Sequence, residues 1–176
     1  MGQGTRRSTR RRIAFGRGSN CELPAPGRAK DQRRAATMEG IQKSDVIVIL
    51  YESANTWRQI FLDGRELGAD FPPTFLGYST GKWEGDTLVV ATSGFNGKSW
   101  LDQTGKPISD AARVTERFRR KDFGHMDIQI TIDDPKAYTK SWTVIQPVHL
   151  LTNTDVMENA CENNLDLQHL GGRFVR

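Results

Sequence analysis

Leu76-Gly-Tyr-Ser-Thr-Gly-Lys-Trp-Glu-Gly-Asp-Thr-Leu-Val-Val90 is the stretch whose reading decides the fold. Two extended runs meet at Gly85-Asp86, a pair suited to a tight hairpin because Gly85 can take φ > 0 without a Cβ clash. With those two residues as the loop, Glu84 opposes Thr87 and Trp83 opposes Leu88. Trp83, Leu88 and Val90 then share one face.

The same grammar of short alternating strands and polar turns extends in both directions. Downstream, residues 112–121 alternate, with Ala112, Val114, Glu116 and Phe118 on one side and Arg113, Thr115, Arg117 and Arg119 on the other. Residues 126–132 place Met126, Ile128, Ile130 and Ile132 inward, and Asp133-Asp134-Pro135 ends that run. Residues 141–151 and 155–161 supply two more strands. Upstream, Val46-Ile-Val-Ile-Leu50 is short and β-branched, the pattern of a strand at the centre of a sheet. A second strand covers residues 56–62, and Asp63-Gly64 after it is a hairpin signal. Residues 67–73 form a loop closed by Pro72-Pro73, and the strand that follows spans 74–84. Residues 94–110 make a long polar connection of the kind that often serves as a lid or binding loop. Residues 29–42 read as a turn or two of weakly amphipathic helix.

About eight sequential strands without a long amphipathic helix predict an all-β fold: an antiparallel up-and-down barrel or a strongly curved sheet, with a sandwich as the alternative. An eight-stranded barrel has an interior that side chains can just fill, or that holds one small ligand.

At 176 residues the chain suits one domain, placed at residues 21–176. The formal charge of +4 conceals an asymmetry. Ten of the 25 basic residues fall in residues 1–34 against two of the 21 acidic ones, so the remainder carries 15 against 19, a net of −4. Residues 1–20, rich in Arg, Gly and Ser, read as a disordered basic arm. Nucleic acid is a partner only through residues 1–34, because the body is mildly acidic. No apolar run reaches 18 residues, so no membrane span is expected, and the N-terminus lacks the apolar core of a secretory signal. Cys21 and Cys161, the only cysteines, read equally as two buried thiols or as one disulfide tying the ends of the domain. Neither reading supplies the four thiolates of an all-cysteine zinc site.

Several stretches together resemble a family of bacterial proteins without an established activity, abundant in soil bacteria. They are Trp57-Arg-Gln-Ile-Phe-Leu-Asp-Gly-Arg65, Trp83-Glu-Gly-Asp-Thr-Leu-Val-Val90, Val114-Thr-Glu-Arg-Phe-Arg119, Ile130-Thr-Ile-Asp-Asp-Pro135 and Tyr138-Thr-Lys-Ser-Trp-Thr143. The likeness covers residues 21–173. It implies a lipocalin-like barrel in the periplasm or outside the cell, and it favours the Cys21–Cys161 disulfide. The chain departs from the family at its N-terminus, where an Arg-rich arm stands in place of a signal peptide and points to a start-site or reading-frame difference upstream.

Glu116 is the most informative polar residue. Alternation turns its carboxylate toward the Val114/Phe118 face, where an unpaired charge is costly. It is either a general acid or ligand anchor, or half of a structural ion pair with Arg58, whose face it shares with Ile60 and Leu62. Glu158, in phase with Val156 and Ala160, is a second candidate inward carboxylate. His125 could assist as a base; with Asp127 it has the spacing to share a strand face, although three histidines without a clustered ligand set do not make a metal site. Tyr51, Trp57, Trp83, Trp100 and Trp142 offer large apolar surface with polar handles. Trp83 and Trp142 are expected to pack in the core, and Trp100, in the long connection, to line or cover the mouth of a cavity.

The leading expectation is a binding module for one small, largely apolar ligand, with Tyr51, Arg58, Trp83, Trp100, Glu116 and Trp142 as ligand-binding residues and no cofactor or metal. The alternative is an acid–base or hydrolytic enzyme in the same cavity, with Glu116, His125 and Glu158 as its catalytic residues. Nothing in the residues fixes an oligomeric state.

Overall fold

Strands dominate because β-branched residues recur with period two. The computed structural model describes the backbone of residues 10–15, and residues 37–52, 56–68, 70–102, 105–152 and 155–157 in full. Among them are nine strands and no helix. They are β1 Arg10–Phe15, β2 Thr37–Gln42, β3 Val46–Tyr51, β4 Thr56–Phe61, β5 Tyr78–Glu84, β6 Thr87–Ser93, β7 Arg113–Arg120, β8 His125–Asp133 and β9 Trp142–His149. Strands β2 to β9 form one curled sheet in chain order. Strand β1 pairs with β2 and, through Ala14–His149 and Phe15–Val148, with β9, which closes the sheet into a barrel.

The central hairpin is as expected: Trp83 pairs with Leu88 and Glu84 with Thr87, and Gly85 takes φ +61°. Three other elements differ from the sequence reading. Arg10–Phe15 is a strand within a segment expected to be unstructured. Thr37–Gln42 is a strand rather than part of a helix. Thr37 and Gly40 are poor helix formers, and pairing with five residues of β3, from Met38–Tyr51 to Gln42–Ile47, settles the conformation. Residues 155–157 are not a strand, and 158–161 lie outside the described residues.

A fourth difference shapes the barrel. Gly64 does turn the chain, at φ +76°, but no hairpin follows. Strands β4 and β5 are parallel and touch at only two residue pairs, Ile60–Ser79 and Phe61–Thr80. Every other junction is antiparallel. Pro72 and Pro73, without an N–H to give a ladder, interrupt the chain before β5. Arg65, Glu66 and Leu67 lie instead against the outer side of β5 and the end of β6, part of the crossover that a parallel connection requires.

Gly77 ends that crossover at φ +69°. A Cβ there would sit 2.8 Å from Thr92 Cγ2 and 2.9 Å from the Ser93 carbonyl oxygen. Gly77→Ala should therefore cost about 2 kcal/mol of stability, through both the left-handed backbone and the clash. A urea midpoint unchanged from the native protein would contradict this.

One face of the sheet from β2 to β9 builds the core. Met38, Ile47, Ile49, Ile60, Leu88, Val90, Phe118, Ile128 and Val148 are buried together, with Tyr51, Leu62, Met126 and Ile130 packed against them. Parity holds on β7 and β8: Phe118, Ile128 and Ile132 are buried while Arg119 and Gln129 are exposed. A second cluster of Phe95, Ile108 and Ala112, flanked by Leu101 and Val114, pins the long connection back onto one end of the barrel.

Candidate functional site

The register carries three polar side chains into the apolar interior. Arg58 on β4 pairs with Ile49 and alternates with Ile60, both buried. Glu116 on β7 lies between Val90 and Ile130. Tyr51, at the end of β3, packs against the core. Arg58 Nη1 and Glu116 Oε2 are 2.8 Å apart, and the two side chains are only 14% and 12% exposed. The ion pair between them joins two strands that are not neighbours in the sheet.

The pair does not satisfy itself. Arg58 Nε and Nη2 are buried with no hydrogen-bond partner. Glu116 Oε2 has Arg58 Nη1 as its close neighbour, at 2.8 Å. Burial pushes the Tyr51 phenol above its ordinary pKa, with Arg58 pulling down and Glu116 pushing up, so its hydroxyl keeps its proton. Burial opposes the Arg58 charge, but Glu116 and Tyr51 outweigh it and hold the guanidinium above its ordinary value. Interior buried polar groups are usually satisfied, so two guanidinium donors left without partners set this pair apart from the apolar core around it.

Gly40 on β2 pairs with Ile49, which pairs in turn with Arg58, so the three positions form one rung of the wall. A Cβ built at Gly40 would meet nothing within 4 Å, so this position of the rung accepts a larger side chain.

No family model, curated protein or solved structure matches the chain. The site therefore has to be read from its own chemistry.

The other candidate residues scatter. His125 begins β8 on the outer face and is exposed, with Nδ1 2.7 Å from Asp122 Oδ1 and its ring edge-on to His149. Its hydrogen bond holds the Asp122 carboxyl below the usual range. Asp127 shares the outer face, but its partner is Lys121, at 3.0 Å. The structure therefore does not bring His125 to Glu116. Glu158, Cys21 and Cys161 lie outside the described residues.

Trp83 occupies the inward register opposite Leu88 yet is 49% exposed, because it stands at the hairpin end of the barrel beyond the core. Trp100 is 65% exposed and belongs to neither apolar cluster; Phe95, Ile108 and Leu101 make the contacts expected of it. Trp57 is also exposed. Trp142 is half-buried opposite Ile132, with its ring edge-on to Tyr138, and its indole N–H is buried without a partner. Among the described residues, no three of His, Cys, Asp or Glu are grouped to hold a metal, and no helix is long and apolar enough to cross a membrane.

Two features escaped the sequence reading. Asp134, expected only to end a strand, is a buried hub. It accepts from Ser109 Oγ at 2.6 Å and Ser109 N at 2.7 Å, and from the backbone of Lys136 and Ala137. The Asp-Pro step was its signal, since Asp before a turn often accepts from the residues that follow. The other is a groove of about 410 Å³ on the outer wall, between the crossover residues Arg65 and Glu66 and the outward side chains Tyr78, Thr80 and Arg113. It exists only because β4 and β5 are parallel, a relation no local signal announces.

Proposed function

We propose that the chain is an exported small-molecule-binding protein that holds one largely apolar molecule inside the barrel, with its polar end on Arg58 and Glu116. The likeness of the Trp83–Val90 and Val114–Arg119 stretches to exported bacterial proteins supports the extracytoplasmic setting. The observation that carries the binding reading is the pair of Arg58 donors, Nε and Nη2, buried without partners on the rung that also carries Gly40. Each unmet buried donor costs about 1–3 kcal/mol, a cost that a bound polar group removes. Apolar walls with a few convergent polar groups are the usual make-up of a small-molecule site. An acid–base reaction has no comparable support, because Glu116 is the only described member of that set in the interior.

The test fills the space without touching the ion pair. Dansyl-tagged undecanamide serves as the probe, its chain matching the apolar wall and its fluorescence rising on transfer from water. The native protein should bind it saturably at one site. Gly40→Leu should weaken binding at least tenfold while leaving the melting temperature unchanged or higher. Full affinity in that variant would show that the probe sits elsewhere.

A further inference from the structure

The unused atoms beside the ion pair define the ligand's polar end, an inference that rests on the binding reading above. A guanidinium presents two hydrogen-bonding edges. Glu116 takes Nη1, and Nε and Nη2, the two donors that can grip one group side-on, are left over. The reflex assignment for such a fork is a carboxylate.

Charge decides against it. Arg58 is already neutralised by Glu116 at 2.8 Å. A carboxylate on the free edge would be a second anion sharing one cation in an apolar interior, and a buried charge without its own counterion is strongly disfavoured. Tyr51 offers no compensating cation, since its phenol stays neutral. What the site lacks is acceptors for Nε and Nη2. The carbonyl oxygen of a neutral amide satisfies both donors without adding charge, and its N–H brings a partial positive charge toward the Glu116 carboxylate.

We infer that the interior site selects an uncharged amide-like head group on an apolar body and rejects the corresponding carboxylate, with Glu116 as the residue that sets this preference. Glu116 thereby acts as a charge filter, rather than only as a brace for Arg58.

The experiment compares two probes that differ at one atom of the head group, dansyl-tagged undecanamide and dansyl-tagged undecanoic acid, titrated into the full chain at pH 7.5. The amide should bind at least tenfold more tightly. Glu116→Gln leaves the Arg58 charge without its counterion, so the order should invert and the acid should win. Equal affinities in the native protein, or a preference for the acid, would overturn the inference while leaving a ligand-binding barrel standing. An unchanged amide preference in Glu116→Gln would overturn the assignment of the filter to that residue. If neither probe binds the native protein, the binding reading itself falls and takes this inference with it. The native comparison needs no variant, so it decides the preference even if Glu116→Gln folds poorly.

Discussion

Glu116→Leu alone should lower the free energy of unfolding by about 3–5 kcal/mol, whereas Arg58→Leu combined with Glu116→Leu should fall within about 1 kcal/mol of the native protein or exceed it. The asymmetry follows from burial. Both side chains are nearly enclosed and lie 2.8 Å apart. Removing the carboxylate strands a guanidinium among Ile49, Ile60 and Val90, while removing both charges leaves an apolar barrel centre with no desolvation cost. Urea denaturation of the three proteins measures it. A single variant as stable as the native chain would mean that water reaches the pair freely. If the double variant is the more stable protein and has lost the probe, the pair is retained for recognition and not for holding the barrel together.

Asp134→Ala should cost about 3 kcal/mol, the larger part of it by loosening the long connection. The carboxylate is 1% exposed and gathers Ser109 with the turn that follows β8. Alanine would leave the Ser109 N–H and hydroxyl unpartnered and release the segment that carries Ile108 into the second apolar cluster. Burial works against ionisation of Asp134, but the hydrogen bonds from Ser109, Lys136 and Ala137 outweigh it and hold its pKa below the ordinary 3.8. The group is thus more acidic folded than unfolded. Its contribution is fully present above pH 3.8 and drains away as pH falls through the lower folded value. The gap between native and Asp134→Ala stability should therefore be constant from pH 7 down to about 5 and close only below the ordinary carboxylate pKa. Equal denaturation midpoints at pH 7 would show the hub to be dispensable.

Seven strands could be read from the chain because their evidence is local. Alternation on β7 and on β8, the β-branched run of β3 and the Gly85-Asp86 turn are each written within about ten residues of chain. The same parity put Glu116 and Arg58 inside the barrel, and the structure joins them. What could not be read was set by distant pairing. Strand β2 carries only weak local signals, Thr37 and Gly40 against a helix, and its strand form is set by pairing with β3. The Asp63-Gly64 turn looks like a hairpin until its would-be partner is found alongside β4 in the same direction. Trp83 shows the limit of parity itself: alternation gives the side of the sheet but not the height on the barrel, so an inward register at the rim still meets solvent. His125 and Asp127 were correctly spaced to share a face, and the face is the outer one.

The parallel junction between β4 and β5 has a consequence for traffic. Two rungs hold that seam, against seven between β5 and β6 and eight between β7 and β8. Local opening follows the path that breaks fewest contacts. Only the β1–β9 closure is held as lightly, also by two rungs, so a guest bound on Arg58 of β4 has its nearest sideways exit along its own strand, where Arg65 lies over the Phe61 ring and would act as a latch.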